Sequence, residues 1–169
     1  RKIFTNSRTT GDRLRQFNGV NSEVLYPPLY RPERYRCEEY GGYLLYISRL
    51  TAHKRQDLAI RAMAHTKTGV QLIISGVADR PGFDDELRAL SLKLKVSDRV
   101  SIISEWISEE EKIEWFAHCL GALYFPLDED SYGYPSLEAH HSKKCVITTT
   151  DSGGTIELIE DGQNGFVTE

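Results

Sequence analysis

The chain has 169 residues, of which 40% are hydrophobic and 27% are charged, and its formal net charge is −4 at pH 7. This size and composition are typical of one globular domain or one lobe of a larger enzyme, and the sequence has no apolar run long enough to cross a bilayer. The acidic balance argues against a nucleic-acid-binding protein, because such proteins usually present a concentrated basic surface. Because the chain begins with Arg1 rather than Met, we expect it to be part of a longer protein.

The first forty residues predict a small β-α-β unit. Short apolar runs indicate strands over residues 2–5 and 23–26, and the spacing of apolar residues between them indicates a helix over residues 7–17. Residues 27–42 are rich in proline and charge, which is typical of a loop. This unit would precede the main part of the domain.

From residue 43 onward, short apolar runs alternate with longer amphipathic stretches. The apolar runs predict strands over residues 43–47, 70–75, 99–103, 121–125 and 145–148. The stretches between them predict helices over residues 56–65, 83–95, 108–118 and 135–144. Ser108 and Glu111 have the spacing of a capping box, and Asp-Gly and Asn-Gly pairs at 161–162 and 164–165 predict tight turns. The alternation predicts an α/β fold, a Rossmann-like parallel sheet with helices on both faces.

Cysteine and histidine positions give no indication of a metal site. Cys37, Cys119 and Cys145 are far apart in the sequence and form no CxxC pair, which is typical of a protein in a reducing compartment. The histidines include no His-x-x-x-His pair. We therefore expect free thiols, no bound metal and a cytoplasmic location.

Polar residues and glycines follow several predicted strands, at the edge of the sheet where open α/β folds bind ligands. Arg49 and Lys54 follow the first central strand, Gly76 follows the second, and Gly153 and Gly154 follow the fifth. Two cations and glycine turns at one edge favour a ligand with phosphate groups, such as a sugar attached to a nucleoside diphosphate. The alternative is that the cations are solvated loop charges and that the glycines only end strands or form turns.

The segment from Asp130 to Glu138 places two carboxylates eight positions apart across a loop and the start of a helix. Pro135 suits the first turn of that helix, where N–H groups without partners and the helix dipole favour a phosphate. Glu138 could accept hydrogen bonds from ribose hydroxyls and Asp130 from the donor sugar. Acidic residues also stabilise loops and first helical turns without any function, so this alternative stays open.

Sequence pieces along nearly the whole chain resemble one family when they are taken in order. The pieces are YISRLTAHKRQDLAIRAM, LIISG, DRVSIISEWISEEEKIEWF, DEDSYGYPSLEAH, CVITTTDSGGTIELI and DGQNGFV. Together they resemble the carboxyl-terminal, nucleotide-sugar-binding domain of a family 4 glycosyltransferase of the GT-B fold. The VLYPPL and SRL...KR pieces are similar to the mannosyltransferase branch, which implies GDP-mannose as the donor.

The resemblance implies a role for each candidate site residue. Arg49 and Lys54 would hold the donor diphosphate and stabilise the charge that develops on it, Glu138 would hold the ribose, and Asp130 would contact the donor sugar. The other donor-binding positions would be Gly76, Gly133, Tyr134, Pro135, Gly153 and Gly154, with the main chain of Trp106 and Ile107 at the base. Residue type alone favours a different role for Trp106, as a core or surface aromatic rather than a stacking platform.

The chain departs from the family's pattern at four places, and one of them is the loop Gly76-Val77-Ala78, which lacks the second glycine often seen there. Asp130 is one methylene shorter than the usual glutamate, which makes its contact with the donor sugar longer or water-mediated. Glu105 stands where a glycine is common, and His140 with His141 replaces small residues of the usual helix. The closing helices expected of the family lie outside the chain.

By resemblance, residues 1–169 form the donor-binding domain of a two-domain retaining enzyme that requires no metal or other cofactor. The enzyme would transfer a hexose, mannose from GDP-mannose, to a glycan or lipid-linked acceptor bound by an N-terminal domain, and this domain alone would be inactive. A lipid-linked acceptor leaves peripheral membrane association open. Two alternatives remain: a relative that cleaves or epimerises sugar nucleotides, and a sugar-nucleotide-binding or regulatory module without catalysis, which Asp130 in place of glutamate favours.

Overall fold

The computed structural model describes residues 1–128 and 132–169 of the chain. A small parallel sheet precedes the main one: strands β1 (Phe4–Thr5) and β2 (Glu23–Val24) are joined by helix α1 (Arg8–Asn18). Ser7 caps this helix, since its Oγ accepts a hydrogen bond from the Thr10 N–H at 3.0 Å. The predicted β-α-β unit is confirmed, with strands shorter than the apolar runs indicated.

The main sheet has six strands connected by helices. The strands are β3 (Tyr43–Ile47), β4 (Gln71–Ser75), β5 (Val100–Ile103), β6 (Gly121–Leu123), β7 (Cys145–Thr149) and β8 (Gly165–Thr168). The α-helices are α2 (Gln56–Met63), α3 (Phe83–Lys93), α4 (Glu109–His118) and α5 (Tyr134–His141). Short 3-10 helices lie at Pro32–Arg34, Ala52–Lys54 and Gly153–Leu158. Across the two described ranges, no helix has both the length and the apolar character needed to span a bilayer.

The strand order of the main sheet is β5-β4-β3-β6-β7-β8, and every pairing is parallel. The predicted α/β fold with a parallel sheet is therefore confirmed. The chain runs outward from β3 to β4 and β5, and then returns to place β6 on the other side of β3. Connections leave β3 and β6 in opposite directions, so a crevice is expected at the carboxyl ends of these two strands.

Strand β8 was not predicted, because the Asn164-Gly165 pair indicated a turn. The turn lies just before Gly165, and this glycine is the first residue of the strand. A Cβ atom at Gly165 would lie 2.2 Å from the Val146 carbonyl oxygen in β7. The glycine therefore allows the two backbones to pair closely.

The centre of the sheet is buried on both faces. Leu45 and Tyr46 are consecutive in β3, so their side chains point to opposite faces, and both are fully buried. Leu72 and Ile74 of β4 are fully buried beside them. The central strand β3 is thus buried on both of its faces, as the predicted helices on both faces of the sheet imply.

Three helices end earlier than their apolar spacing predicted. Helix α2 ends at Met63 rather than residue 65, α3 ends at Lys93 rather than residue 95, and α5 ends at His141 rather than residue 144. Lys95 and Lys143 have φ angles of 58° and 55°. A left-handed residue cannot continue a right-handed helix, so these two lysines limit how far α3 and α5 extend.

Arg55 joins three segments at the carboxyl edge of the sheet. It precedes α2, and its Nε donates a hydrogen bond to the Phe125 carbonyl oxygen at 2.6 Å, just beyond β6. Its terminal nitrogens donate to the Asp151 carboxylate and to Thr149 Oγ1, at the end of β7. This fan of hydrogen bonds fixes the ends of β6 and β7 against the start of α2.

Candidate functional site

A cleft of about 400 Å³ opens at the carboxyl ends of β3 and β4, between the β5–α4 loop and the first turns of α5. The cleft lies where the strand order reverses, because the end of β3 lines one side and α5, the helix that follows β6, lines the other. Seven of the predicted site residues line it: Arg49, Gly76, Trp106, Ile107, Tyr134, Pro135 and Glu138. Residues from four separate segments of the predicted sheet edge therefore meet in one place.

The Arg49 backbone is held on two sides. Parallel pairing continues past the ends of β3 and β4, since the Ser48 N–H donates to the Ser75 carbonyl and the Leu50 N–H donates to the Val77 carbonyl, both at 3.0 Å. From α2, the fully buried Gln56 donates through Nε2 to the Arg49 carbonyl oxygen at 2.8 Å. No acceptor contacts the Arg49 guanidinium within the described part of the chain. Its five N–H donors are thus available to an anion in the cleft.

Gly76 allows the two strand ends to approach each other. Its φ is +151°, and a Cβ atom there would lie 1.8 Å from the Ser48 carbonyl oxygen. No side chain fits at this distance. The alternative from the sequence was that Gly76 only ends a strand. In the structure, Gly76 does follow β4, and it also packs directly against the loop that carries Arg49.

Lys54 does not line the cleft, although it follows Arg49 by five residues. It ends a 3-10 helix, and its Nζ donates a hydrogen bond to the Tyr124 hydroxyl at 2.8 Å, next to β6. The ammonium also lies 5.2 Å from the centre of the Tyr124 ring. Arg49 and Lys54 therefore lie at neighbouring positions along the carboxyl edge of the sheet, and they do not form one wall of the cleft together.

The start of α5 forms the opposite wall of the cleft. Gly133 is the N-cap with φ +78°, and Pro135 lies in the first turn as predicted. Tyr134 and Pro135 face the cleft, whereas Gly133 packs behind them, where an added Cβ would lie 2.9 Å from Thr155 Oγ1. The positive end of the helix dipole is thus directed at the cleft.

Gly153 and Gly154 lie behind this wall and do not line the cleft. They begin the 3-10 helix Gly153–Leu158, which carries Thr155 against Gly133. Gly153 has φ +62°, a conformation that favours glycine. These two glycines are thus part of a short helix that supports α5, at the position where a glycine turn was predicted.

Glu138 is buried, with 7% of its surface exposed, and it accepts two hydrogen bonds on the same oxygen. Lys112 Nζ donates to Oε1 at 2.6 Å, and the Tyr35 hydroxyl donates to Oε1 at 3.1 Å. Burial raises the pKa of Glu138 above its ordinary value, and the hydrogen bonds from Lys112 and Tyr35 oppose that rise only in part. Burial also disfavours the Lys112 ammonium, but its hydrogen bonds to Glu109 and Glu138 outweigh burial and raise the Lys112 pKa.

The β5–α4 loop closes the outer side of the cleft. Trp106 is 85% exposed at the rim, and Ile107 beside it is half-buried. The predicted capping box is confirmed: the Ser108 N–H donates to Glu111 Oε2 at 2.9 Å and the Glu111 N–H donates to Ser108 Oγ at 3.2 Å. Trp106 is thus a surface aromatic on a loop whose end is fixed.

Asp130 lies outside the described residues, so its predicted contact with the donor sugar stays a prediction.

Three residues of the site were not predicted: Tyr35, Gln56 and Lys112. They act on Glu138 and Arg49 from loop 27–42 and from two different helices. For one of them, Gln56, the sequence gives a partial signal. It is a polar residue at a buried position at the start of the amphipathic helix α2.

The family model described as "Glycosyl transferases group 1" matches residues 34–169. Human alpha-1,3/1,6-mannosyltransferase ALG2 is 25% identical over 194 residues, covering 99% of this chain and 46% of that protein. The O-antigen chain mannosyltransferase RfbU of Salmonella typhimurium is 25% identical over 150 residues, covering 87% of this chain and 41% of that protein. The chain thus spans about half the length of the curated relatives it matches, or slightly less.

Solved structures show the same fold. Anabaena HepE in complex with UDP and glucose superposes with a TM-score of 0.88 at 22% identity, covering 99% of this chain and 49% of that one. WaaG, a glycosyltransferase involved in lipopolysaccharide biosynthesis, superposes with a TM-score of 0.79 at 20% identity, covering 98% and 48%. The six-stranded sheet and its helices match the lobes of GT-B glycosyltransferases. With the family model covering most of its length, the chain belongs to the glycosyl transferases group 1 family.

Proposed function

We propose that this chain is the donor-binding lobe of a retaining glycosyltransferase and that its cleft holds a nucleoside diphosphate sugar. The observation that carries the proposal is that Arg49, the start of α5 and Glu138 line one cleft. An arginine that has no partner among residues 1–128 and 132–169 and a helix N-terminus suit a diphosphate, and a buried carboxylate suits the two hydroxyls of a ribose.

Mannose from GDP-mannose is the proposed donor group. Two curated relatives that match most of this chain are named as mannosyltransferases. The HepE structure contains UDP and glucose, so UDP-glucose is the competing donor that an experiment must exclude. The proposed acceptor is a glycan or a lipid-linked sugar, bound by a second domain outside this chain.

In the proposed reaction, the bond between the sugar C1 atom and the diphosphate oxygen breaks, and a new bond forms between C1 and an acceptor hydroxyl oxygen on the same face of the sugar. The proton of that hydroxyl passes to the departing diphosphate. Negative charge then develops on the departing diphosphate. Arg49 in the cleft and Lys54 at the neighbouring strand end would stabilise this charge, with the dipole of α5. Asp130 is proposed to contact the donor sugar, and no metal takes part in the scheme.

Isothermal titration of the chain with GDP, UDP, GDP-mannose and UDP-glucose tests the donor site. We expect saturable binding with a preference for the guanine nucleotides, and a loss on the order of tenfold or more in Arg49→Ala and Glu138→Ala. Arg61→Ala is the matched control, because Arg61 lies on α2 in an exposed pair with Asp57 and outside the cleft.

The outcomes separate the parts of the proposal. A preference for uridine nucleotides would keep the site and overturn the donor. Loss of binding in Arg61→Ala as well as in Arg49→Ala would show a general charge effect and contradict the site. Sugar transfer is tested in the full-length protein with and without a glycosyl acceptor: hydrolysis or epimerisation without the acceptor, or no reaction with it, would overturn the transferase role.

A further inference from the structure

The two hydrogen bonds that the described residues donate to the Glu138 carboxylate end on the same oxygen, Oε1. Within the described residues, Oε2 receives no hydrogen bond, and the side chain lines the cleft. A carboxylate can accept hydrogen bonds on both oxygens. One oxygen is therefore held by the protein, and the other is left for a ligand.

The residue that holds Oε1 most closely, Lys112, is itself largely buried. Its side chain is 15% exposed and that of Glu138 is 9% exposed. The ammonium bridges two elements, because it also donates to Glu109 Oε1 at 2.8 Å, one turn earlier in α4. Charges that are shielded from water interact more strongly than surface pairs, and removal of one partner leaves the other charge uncompensated.

We propose that Lys112 is a positioning residue of the donor site: its ammonium holds Oε1 of the Glu138 carboxylate and so directs Oε2 toward the two ribose hydroxyls of the donor. The inference rests on the proposed function and extends it to a residue that itself need not contact the donor. Tyr35 fixes the same oxygen from the loop before β3, so the carboxylate plane is held from two directions. A protonated Glu138 would lose acceptor capacity on one oxygen and could not serve both hydroxyls equally well.

A purely structural role for Lys112 predicts a different result. If the lysine only ties α4 to α5, its loss should weaken every ligand of the cleft by a similar factor or lower the stability of the fold. If it positions Glu138, its loss should remove the preference for a ligand that carries ribose hydroxyls. The ratio of two affinities therefore distinguishes the roles.

The test compares GDP with 2′,3′-dideoxy-GDP in isothermal titrations of the wild-type chain and of Lys112→Met. We expect the wild type to prefer GDP on the order of tenfold, which corresponds to about 1.4 kcal/mol. In Lys112→Met the preference should fall to near unity while dideoxy-GDP still binds, and Lys112→Arg should restore part of it. Lys2→Met is the matched control, since Lys2 pairs with Glu23 at 2.8 Å on the exposed small sheet.

Tyr35→Phe provides a second variant if Lys112→Met does not fold. It removes one of the two donors to Oε1 while keeping the aromatic ring, so we expect a partial loss of the same preference. If Lys112→Met does not fold and Tyr35→Phe keeps the wild-type preference for GDP over dideoxy-GDP, the proposed positioning of Oε1 is contradicted.

The pH dependence of GDP binding gives an independent readout. Among the described residues, the titratable groups that face Glu138 are Tyr35 from the loop before β3 and Lys112 and Glu109 from α4. Arg49 and Glu105 line the same cleft. Without the ammonium, Glu138 becomes protonated at a higher pH, so binding by Lys112→Met should weaken earlier than wild-type binding as the pH falls. An unchanged GDP preference together with an unchanged pH profile would overturn the inference and leave the donor site standing. Absence of nucleotide binding in the wild type would overturn the proposed function, and the inference with it.

Discussion

Asp151 receives hydrogen bonds from both terminal nitrogens of Arg55, at 2.6 and 2.8 Å, although the two residues are 96 positions apart. This pair connects the end of β7 to the start of α2, next to the loop that carries Arg49. The Arg55 hydrogen bonds, followed by one from Thr149, lower the pKa of Asp151 to about 2. At the carboxyl edge of the sheet, an ion pair therefore helps to hold the segments together, and protonation of Asp151 in acid breaks this pair.

The first prediction concerns stability at low pH. A carboxyl group whose pKa is lower in the folded state stabilises the fold above its unfolded pKa, and this contribution is lost as the pH falls from 3.8 toward about 2. The Asp151 side chain is half exposed, so solvent screens the pair and we expect roughly 1 kcal/mol. Urea unfolding of the wild type and Asp151→Asn should show a stability difference at pH 6 that shrinks by more than half of this amount at pH 2.5.

The control for this prediction is Asp57→Asn. Asp57 forms an exposed pair with Arg61 within α2, and such helical pairs contribute no more than about 0.5 kcal/mol. A stability difference between the wild type and Asp151→Asn that does not change with pH would contradict the prediction.

The second prediction is that Gly76→Ala destabilises the fold by about 2 to 4 kcal/mol, because the methyl group cannot be placed without moving the Ser48 carbonyl. Comparison with Gly19→Ala distinguishes the cost of this clash from the cost of backbone strain. Gly19 has φ +65° but no atom within 4 Å of an added Cβ, so only the left-handed conformation should cost energy, about 1 kcal/mol. Equal losses in the two variants, measured by thermal or urea unfolding, would show that the close approach of β3 and β4 is not tight.

The third prediction concerns Gln56, which fixes the backbone that carries Arg49. Gln56→Met keeps the side-chain volume but removes the hydrogen bonds to the Arg49 carbonyl and Ser48 Oγ, at 2.8 and 2.9 Å. We expect a loss of about 1 to 2 kcal/mol in stability, and a severalfold weaker affinity for GDP with little change for guanosine, because the diphosphate is the group that Arg49 would contact. Gln16→Met, at an exposed position on α1, should change neither quantity.

A loss of guanosine binding equal to the loss of GDP binding in Gln56→Met would contradict this assignment. The whole cleft would then have been disturbed, and not the position of Arg49 alone.

Several features of the fold could be predicted because they depend on local pattern. The run Tyr43–Ile47 forms β3 with the predicted bounds, and the capping box at Ser108 and Glu111 forms as expected. The carboxyl ends of the strands in a parallel sheet meet at one edge, which is why the sequence predicts Arg49 and Gly76 in one site. Gly165 shows the limit of local pattern, since it was predicted as a turn but begins a strand that depends on close contact with Val146.

The supporting residues could not be predicted, because their contacts join distant parts of the chain. Tyr35 reaches Glu138 across 103 positions and Lys112 reaches it across 26. Lys112 follows three glutamates in α4, so the sequence presents it as one more charge on a solvated helix. Its contact with Glu138 of α5 and its place in the cleft lining are visible in the three-dimensional structure alone.

The fourth prediction uses Trp106 as an internal probe of the proposed donor site. Its indole is 85% exposed at the rim of the cleft, so a base that stacks there would remove it from water, a contact worth about 1 to 3 kcal/mol. GDP should therefore shift or quench the tryptophan fluorescence of the wild type, and Trp106→Phe should abolish this change. Trp115→Phe is the matched control, because Trp115 is half-buried and does not line the cleft. The Tyr43 hydroxyl donates a hydrogen bond to the main-chain carbonyl of Trp115, and the substitution keeps this bond. If the nucleotide signal survives in Trp106→Phe and disappears in Trp115→Phe, the base does not lie at the β5–α4 loop, and that part of the donor site is wrong.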